Sequence, residues 1–343
     1  MEASLYDADA DGVVHCRLCR HRCRIEPGRR GICRVRENRG GVLETLVYGR
    51  LVARSVDPIE KKPLFHVLPG SRSYSIATVG CNFRCDFCQN ADIAQPSDAL
   101  TRRTAGGRVD PAAVAADALD HGCQTIAYTY TEPTVFFEFA RDTARLAACQ
   151  GLRNLFVTNG YMSEAALDEI APDLHAANVD LKAFSEDFYR THCGGTLRGV
   201  TDSLHAMRRG GIFLEVTTLL IPGLNDDAAE LADLAAFVAT ELGPATPWHV
   251  SRFHPTYRML DRPPTPVESV RKARRIGLEA GLKYVYTGNA PGDDGENTYC
   301  PSCGLLLVER RGFSSRNRAL DDGRCSGCGA SIDGVGWNRK AGF

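Results

Sequence analysis

The most informative segment of the chain is Ser75-Ile76-Ala77-Thr78-Val79-Gly80-Cys81-Asn82-Phe83-Arg84-Cys85-Asp86-Phe87-Cys88-Gln89-Asn90. Residues 74–79 form a short apolar run that predicts a buried strand. Gly80 then opens a loop with three cysteines in the spacing Cys-x3-Cys-x2-Cys. Three thiolates can hold three irons of a [4Fe–4S] cluster, whereas an electron-transfer cluster of this type uses four. The fourth iron is then open to another ligand.

Zinc and plain structural cysteines are the alternatives for this loop. Tetrahedral zinc needs a fourth protein ligand nearby, and no further cysteine or histidine follows Cys88 closely. The spacing therefore favours an iron–sulfur cluster on Cys81, Cys85 and Cys88.

Length and composition place the chain among globular proteins with a large core. The 343 residues are 43% hydrophobic, enough to bury a barrel-sized core with small appendages. No apolar run approaches the roughly 20 residues of a membrane span, and the N-terminus lacks the features of a signal peptide. We therefore expect a cytoplasmic protein. The net charge of −1 argues against nucleic acid and membrane surfaces as partners.

From residue 71 onward, short apolar strands alternate with helical segments, which predicts a parallel sheet with helical crossovers. The predicted strands after the first are residues 125–130, 154–158, 178–182, 213–221 and 248–251, and residues 283–286 are a candidate for one more. Six strand–helix units indicate an α/β fold built as a partial (β/α)6 barrel. We expect three domains: a four-cysteine segment with a linker (1–70), the barrel (71–292) and a cysteine-containing tail (293–343).

Polar residues follow the predicted strands at the ends where parallel barrels place their chemistry. An Asp or Asn there is often only a cap or a turn residue, and a Lys often points to water, but polar residues recur after four different strands. The candidate residues are Thr131, Glu132, Thr158, Asn159, Asp180, Lys182 and His254.

Two further cysteine groups flank the predicted barrel. Cys16, Cys19, Cys23 and Cys33 can form a closed four-thiolate site, for which zinc is the first candidate and an auxiliary iron–sulfur cluster the second. In the tail, Cys300, Cys303, Cys325 and Cys328 form two Cys-x2-Cys-Gly turns, a pattern typical of a zinc ribbon. Four closed ligands would make that Zn²⁺ structural.

The three-cysteine loop resembles that of the radical S-adenosylmethionine (SAM) superfamily. In that family SAM chelates the open iron, and an electron from the cluster cleaves its sulfonium to give a 5′-deoxyadenosyl radical. The resemblance implies a radical SAM partial barrel, a [4Fe–4S] cluster and SAM as cofactors, and an electron donor such as flavodoxin or ferredoxin. Phe87 matches the aromatic residue at the adenine, and Gln89 is a further expected cofactor contact.

The strand ends look like those of pyruvate formate-lyase activating enzyme. Thr131-Glu132-Pro133 stands where that family holds the SAM amino group, and Asp180-Leu181-Lys182 matches a motif near the methionine and ribose. His254 matches a histidine that contacts SAM. Thr217, however, stands where an arginine would meet the SAM carboxylate, and Val157 stands where the family has an aspartate at a cation site. Glu215 is an acid that this resemblance does not predict.

Nearly the whole chain is similar to the radical SAM component of the AmmeMemoRadiSam system. The similarity lies in the Cys16–Cys23 block, in Asp57-Pro58-Ile59-Glu60-Lys61-Lys62-Pro63-Leu64, and in residues 288–300 with the tail that follows. It implies a Memo-like protein and an AMMECR-type protein as partners, and it implies no substrate.

Three functions remain open from the sequence. The first is a radical SAM enzyme acting on a small molecule. The second is an activase for a glycyl-radical enzyme, or an enzyme that modifies a partner protein. The third is a metal-stabilised adaptor, which leaves the open cysteine loop unexplained. Cys193 is either a reactive thiol or, as the simpler interpretation, a buried small side chain.

Overall fold

The computed structural model describes residues 1–96 and 107–337. In chain order its strands are β1 (Tyr6–Ala8), β2 (Val14–Cys16), β3 (Arg24–Ile25), β4 (Arg36–Arg39), β5 (Val42–Thr45), β6 (Ala53–Pro58), β7 (Arg72–Ala77), β8 (Thr125–Tyr128), β9 (Arg153–Thr158), β10 (Ala176–Asp180), β11 (Phe213–Leu220), β12 (Trp248–Arg252), β13 (Val285–Gly288), β14 (Thr298–Tyr299), β15 (Leu306–Arg311), β16 (Ser314–Asn317), β17 (Leu320–Asp321) and β18 (Arg324–Cys325).

The described α-helices lie mainly between the strands of the central sheet. They are α1 (Ala91–Ala94), α2 (Pro111–Asp120), α3 (Phe137–Cys149), α4 (Glu164–Ile170), α5 (Glu186–Phe188), α6 (Leu197–Arg209), α7 (Ala228–Phe237) and α8 (Val267–Glu279). Single 3₁₀ turns occur at Ile59–Lys61, Pro133–Phe136, Ala171–Asp173 and Asp294–Glu296, and π-helical turns occur at Tyr189–Cys193 and Val238–Leu242.

An eight-stranded sheet forms the centre of the molecule. Strands β6 to β13 lie side by side in chain order; all neighbours from β7 to β13 pair in parallel, and β6 pairs antiparallel with β7. The predicted α/β fold with a central parallel sheet is confirmed. The candidate strand at 283–286 lies slightly later, as β13, and its pairing with β12 makes it the seventh parallel strand.

Local capping residues set the starts of the helices. Asp110 caps α2 by accepting a hydrogen bond from the Ala112 N–H, and Pro111 occupies the first turn. Ser163 caps α4 in the same way through the Ala166 N–H, as the sequence predicts. These caps fix the residues at which α2 and α4 begin.

A segment that the sequence indicates to be a linker covers the inner face of the sheet. Residues 59–68, here called the inner segment, place Ile59, Leu64 and Val67 against Ala127, Leu155 and Ala176, and all six side chains are fully buried. Ala127, Leu155 and Ala176 are in register on neighbouring strands, so they form one layer of the face. The strand before the inner segment, β6, is the antiparallel edge strand that the sequence interpretation did not predict.

The cysteine-containing tail packs against the inner segment. Trp337 donates its indole N–H to the His66 carbonyl at 2.8 Å, and His66 Nδ1 lies 2.6 Å from the Asp333 carbonyl. The Arg310 guanidinium, fully buried, donates to the Phe65 carbonyl at 2.9 Å and stacks 4.1 Å from the Phe65 ring centroid. The tail therefore holds the inner segment in place from outside.

The N-terminal cysteine segment lies at the carboxyl edge of the central sheet. Its strands β1 to β3 form a small antiparallel sheet, and β4 with β5 forms a hairpin. Cys19 forms a β-bridge with Met162, and the Arg20 side chain donates to the Met162 carbonyl at 2.9 Å. This places the N-terminal cysteines beside the carboxyl end of β9.

The helices of residues 1–96 and 107–337 include none that is both long and apolar enough to cross a membrane.

Candidate cofactor site

The three-cysteine loop leaves β7 at the carboxyl edge of the sheet, as predicted. Gly80 adopts a φ of +102°, and a Cβ there would lie 2.8 Å from Val35 Cγ1 and 3.1 Å from the Cys33 carbonyl oxygen. Only glycine fits both the backbone conformation and the close approach of the N-terminal segment. The start of the loop is therefore packed directly against the N-terminal cysteine segment.

Backbone hydrogen bonds hold the rest of the loop. The Arg84 N–H donates to the Cys193 carbonyl at 2.8 Å, and the Asp86 N–H donates to the His192 carbonyl at 3.0 Å. In return the Asp86 carbonyl accepts a hydrogen bond from the Arg258 N–H at 3.0 Å. Backbone contacts from two other regions of the chain thus fix the loop.

The loop thiols are surrounded by donors that suit metal-bound sulfur. The Phe83 N–H lies 3.3 Å from Cys81 Sγ, and the Asn159 amide nitrogen lies 3.7 Å from it. Burial raises the pKa of the Cys81 thiol well above its usual range, so the thiolate needs a cation to form there, which is what metal binding supplies. The residues present therefore fit an iron–sulfur cluster.

Glu132 joins the ends of two strands through its carboxylate. Oε1 accepts hydrogen bonds from Thr134 N at 3.0 Å, Thr134 Oγ1 at 2.6 Å and Thr158 Oγ1 at 2.7 Å, and Oε2 accepts one from Asn159 N at 2.8 Å. Burial still raises the pKa of this carboxyl, against those donors. A carboxylate has about four acceptor positions, and only one of the two on Oε2 is used.

Thr131 and Asn159 connect the strand ends to the loop region. Thr131 Oγ1 donates to the Thr78 carbonyl at 2.8 Å, which ties the segment after β8 to the end of β7. Asn159 donates through Nδ2 to Asn82 Oδ1 at 2.8 Å and also contacts Cys81. Asn159 therefore lies against the cysteine loop itself.

Asp180 and Lys182 form an ion pair at the end of β10. Lys182 Nζ lies 2.8 Å from Asp180 Oδ2 and 5.8 Å from the centroid of the buried Phe87 ring. Burial works against the charged amine, but Asp180 and the thiols of Cys85 and Cys193 hold the pKa of Lys182 well above its usual range. Lys182 therefore stays charged beside the cluster loop.

Thr217 is the neighbour of Asp180 across the sheet, since the two residues are in register on β10 and β11. Its Oγ1 is buried and has no hydrogen-bond partner among the described residues. A buried hydroxyl without a partner costs free energy, so this atom is available to a bound polar group.

Gln89 and His254 are exposed, and neither joins the group described above. Gln89 lies just beyond the third cysteine, and His254 follows the end of β12. Their assignment as SAM contacts remains a prediction.

Several residues at this site were not singled out from the sequence as contacts. Asn82 bridges the loop to Asn159, and its place inside the quoted segment was a usable signal. The Tyr189 hydroxyl accepts a hydrogen bond from the Lys182 N–H at 2.9 Å, and Cys193 is fully buried beside Cys85, a contact that lowers the pKa of the Cys85 thiol. The residues around Cys193 are distant in sequence from the loop and carry no motif.

Glu215, the unexpected acid, has a structural contact to the inner segment. It is fully buried, and its carboxylate accepts hydrogen bonds from the Phe65 N–H at 3.0 Å, the His66 N–H at 2.8 Å and His249 Nε2 at 2.7 Å. All three donors belong to the covered part of the inner face, so Glu215 holds the inner segment to the sheet.

The four N-terminal cysteines line one cavity. Cys16, Cys19, Cys23 and Cys33 share its walls with His21, Arg36 and Asn82, and most of the other lining side chains are apolar. Burial, and then the other three thiols, raise the pKa of Cys19 above its usual range. The four thiols therefore lie within electrostatic reach of one another.

The four tail cysteines converge more tightly. Their sulfur atoms all lie within 4.8 Å of one another, and the Cys300–Cys328 and Cys303–Cys325 pairs are each 3.6 Å apart. Tetrahedral zinc with bonds of about 2.3 Å would place its sulfurs about 3.8 Å apart. This group can hold a single metal ion and is compatible with the predicted zinc-ribbon-like tail.

Comparisons with known proteins identify a family model and a relative that match this chain. Residues 75–235 match the model of the radical SAM superfamily. The chain is 44% identical to uncharacterized protein MJ0808 of Methanocaldococcus jannaschii, over 97% of this chain and 98% of that protein.

Two solved structures are similar to the central part of the chain. Streptococcus suis SuiB bound to its precursor peptide SuiA is 12% identical with a TM-score of 0.51, covering 67% of this chain and 51% of that one. A domain of pyruvate-formate lyase-activating enzyme from Bacteroides vulgatus is 18% identical with a TM-score of 0.43, covering 48% of this chain and 98% of that domain. At these identities the likeness concerns the fold alone. With its three-cysteine loop at the carboxyl edge of a parallel sheet and the superfamily match across that loop, this chain contains a radical SAM domain over residues 75–235.

Proposed function

We propose that this protein is an enzyme that cleaves SAM reductively and uses the 5′-deoxyadenosyl radical to abstract hydrogen from a small-molecule substrate. The observation that carries the proposal is the contact of Asn159 with both Cys81 and Asn82, because it joins the polar strand ends to the cluster loop. The [4Fe–4S] cluster supplies the electron that cleaves the sulfonium, and the protein supplies binding, orientation and exclusion of water.

The residues beside the loop have distinct roles in this proposal. Asp180 and Lys182 present one negative and one positive charge to the polar ends of SAM, and the free acceptor position of Glu132 Oε2 is available to its amino group. The unpartnered hydroxyl of Thr217 lies where the pyruvate formate-lyase activating enzyme resemblance leads us to expect an arginine, and it can donate a hydrogen bond to a carboxylate. Gln89 and His254 remain proposed contacts from outside this group.

The covered inner face favours a small substrate. The inner segment fills the layer of Ala127, Leu155 and Ala176, so a substrate of a partial-barrel enzyme would enter from the opposite, cluster-bearing edge. The alternative is an activase for a glycyl-radical enzyme or an enzyme that modifies a partner protein, whose chain would have to reach the same edge. Product analysis separates these possibilities.

The proposal includes the remaining cofactor and partners. The tail cysteines hold a structural Zn²⁺, and a flavodoxin or ferredoxin supplies electrons. The similarity to the AmmeMemoRadiSam component motivates a Memo-like and an AMMECR-type protein as partners to add to the reaction.

The test is chromatography of reactions that contain reconstituted, reduced protein and SAM. We expect methionine and 5′-deoxyadenosine, formed slowly without substrate and in step with product when the substrate is present. A Cys81→Ala variant serves as the inactive control, and Cys149→Ser, which changes an exposed cysteine on the end of α3, serves as the matched active control. Absence of 5′-deoxyadenosine even with the partners and cell extract added would refute the proposal.

A further inference from the structure

We propose that Cys16, Cys19, Cys23 and Cys33 hold a second [4Fe–4S] cluster, which passes electrons to the cluster on Cys81, Cys85 and Cys88. The identity of this second centre stands on its own geometry. Its electron-transfer role rests on the proposed function of the first cluster.

The spacing of the sulfur atoms separates this site from a zinc site. In the described part of the chain, the tail cysteines are the only group of three or more possible ligands whose atoms all lie within 4.8 Å of one another. The four N-terminal thiols line one cavity but do not converge to that degree. A single tetrahedral ion requires sulfurs about 3.8 Å apart, whereas a cubane places an iron at each of four separate corners and needs its thiolates farther apart. The tail cysteines thus show the sulfur spacing that suits a single ion, and the N-terminal cysteines do not have that spacing.

Arg36 provides a second, independent indication of a ligand in this cavity. Its guanidinium is 1% exposed, pairs with the buried Glu138 and brings Nη1 to 3.6 Å from Cys16 Sγ. Its Nε, also buried, has no hydrogen-bond partner among the described residues. A buried N–H that makes no hydrogen bond is costly. A sulfide or thiolate of a bound cluster would give it a partner, and such hydrogen bonds tune the potential of iron–sulfur clusters.

The two cysteine sites are separated by very few residues. His21, between Cys19 and Cys23, lies with its Nε2 2.8 Å from the Asn82 carbonyl oxygen. Asn82 follows Cys81 directly and also lines the N-terminal cavity. A short path through His21 and Asn82 therefore connects the two sites.

The electron balance needs only a low-potential one-electron donor. A reduced flavodoxin-class protein gives one electron to the second cluster, which goes from the 2+ to the 1+ state. That cluster then returns to 2+ as the first cluster is reduced from 2+ to 1+. No atom or proton needs to move between the sites.

Iron analysis tests the identity of the second centre without any activity. The variant Cys81→Ala, Cys85→Ala, Cys88→Ala removes the first cluster, and after anaerobic reconstitution we expect it to retain about four irons and four sulfides. A further Cys19→Ser, Cys33→Ser change should remove them, whereas Cys149→Ser should not. Zinc in place of that iron, in addition to the tail ion, would overturn the proposal. This readout is independent of SAM cleavage, so it can fail or succeed separately from the proposed function.

Arg36→Lys offers a test that keeps both clusters. The substitution preserves the positive charge opposite Glu138 but removes the Nε–H donor. We expect unchanged iron content and a lower reduction potential for the second cluster, with the potential of the first cluster unchanged. An unaltered potential at both clusters would contradict the assignment of Arg36 to this site.

Comparison of electron donors tests the relay. Removing the second cluster by Cys19→Ser, Cys33→Ser should lower SAM cleavage with reduced flavodoxin about tenfold or more beyond any loss seen with a small chemical reductant, because such a reductant can reach the first cluster directly. Equal losses with both reductants, or no loss with either, would refute the relay. If wild-type protein cleaves no SAM with any donor, the proposed function fails while the iron result for the second cluster stands.

Discussion

At the scale of single residues, three carboxylates differ in their burial and in the contacts that they make. Glu132 and Glu215 are both buried and accept several hydrogen bonds each. The Asp180 side chain is 37% exposed and forms an ion pair with Lys182. The first two are committed mainly to holding the chain, and the third is the most accessible to a bound molecule.

Asp180→Ala should weaken SAM binding or turnover about ten- to hundredfold. Loss of a hydrogen bond to a charged group costs about 1.5–3 kcal/mol. Each 1.4 kcal/mol corresponds to about a factor of ten in the binding constant or rate. Binding to the anaerobic protein and the rate of 5′-deoxyadenosine formation would measure the effect. Asp168→Ala, at an exposed position on α4, is the matched control. Wild-type affinity and rate in the Asp180 variant would exclude it as a cofactor contact.

Glu215→Gln should lower the free energy of unfolding by about 1–3 kcal/mol, since the amide nitrogen cannot accept from the Phe65 N–H, the His66 N–H or His249. Denaturant unfolding of the anaerobic protein would measure this. The iron content should stay at the wild-type value, because no contact of Glu215 reaches the cysteine loop. Loss of iron together with unchanged stability would assign Glu215 to the cofactor site instead.

At the scale of elements, the sequence predicted those strands, helices and loops that depend on local sequence patterns. The cysteine spacing, the alternation of strands and helices and the cap at Ser163 depend on near neighbours, and the structure contains the corresponding elements. Strand β6 was missed because Pro58 and the charged, proline-containing stretch after it read as irregular backbone. The position of the inner segment on the sheet depends on Glu215 and Trp337, which are far away in sequence. The four donors to Glu132 converge from two loops, and no spacing rule predicts them.

Two lysines of the inner segment share one buried carboxylate. Lys61 and Lys62 both contact Asp57, at 2.8 and 2.7 Å, and Tyr130 donates to the same carboxylate. Lys62 is 1% exposed, and burial lowers its pKa to about 8. Because two lysines share one carboxylate, pairing does not offset the burial of Lys62. The hydrogen bond that Lys61 donates to Asp57 raises the pKa of Lys61, which is partly exposed.

These shifts predict opposite pH dependences for two neighbouring lysines. Between pH 8 and about 10.4 the unfolded chain binds more protons at Lys62 than the folded chain does, so this residue makes stability rise with pH, by up to about 3 kcal/mol. Lys61 has the opposite sign, and its contribution is lost as pH rises through its folded pKa. Relative to wild type, the urea midpoint of Lys62→Met should therefore fall as pH rises across this range, whereas that of Lys61→Met should stay constant there and rise only above about pH 10.4. Parallel curves would show that Lys62 is not buried as described.

At the scale of the whole molecule, the tail is part of the core arrangement. Tyr286 on β13 contacts both His66 and Thr298 through its hydroxyl, at 2.6 and 2.9 Å. Phe65, Tyr286 and Trp337 belong to one buried cluster with Cys300 and Cys325. The four-cysteine group of the tail and the inner segment therefore share one hydrophobic core, although the cysteine spacing alone suggested a separate ribbon.

Removal of the tail metal should loosen the inner segment as well as the tail. Structural zinc contributes on the order of 10–16 kcal/mol of apparent binding energy at neutral pH, so its loss should release the contacts that hold residues 64–68. Hydrogen exchange after chelation, or in a Cys303→Ser variant, should show faster exchange in residues 64–68 and unchanged exchange in α2. Cys149→Ser is the control. Exchange confined to residues 293–337 would show that the tail folds independently.

The contact between His66 and Trp337 also imposes an order on biosynthesis. The two residues are 271 positions apart, and at about 5–20 residues per second a ribosome needs roughly 14 to 54 seconds to make that stretch. All seven parallel strands, with Glu215 among their residues, precede Trp337 in the chain, so the contact of Glu215 with the inner segment can form before the contacts of the tail. Until Trp337 is made, the inner segment covers the layer of Ala127, Leu155 and Ala176 without its contacts to the tail.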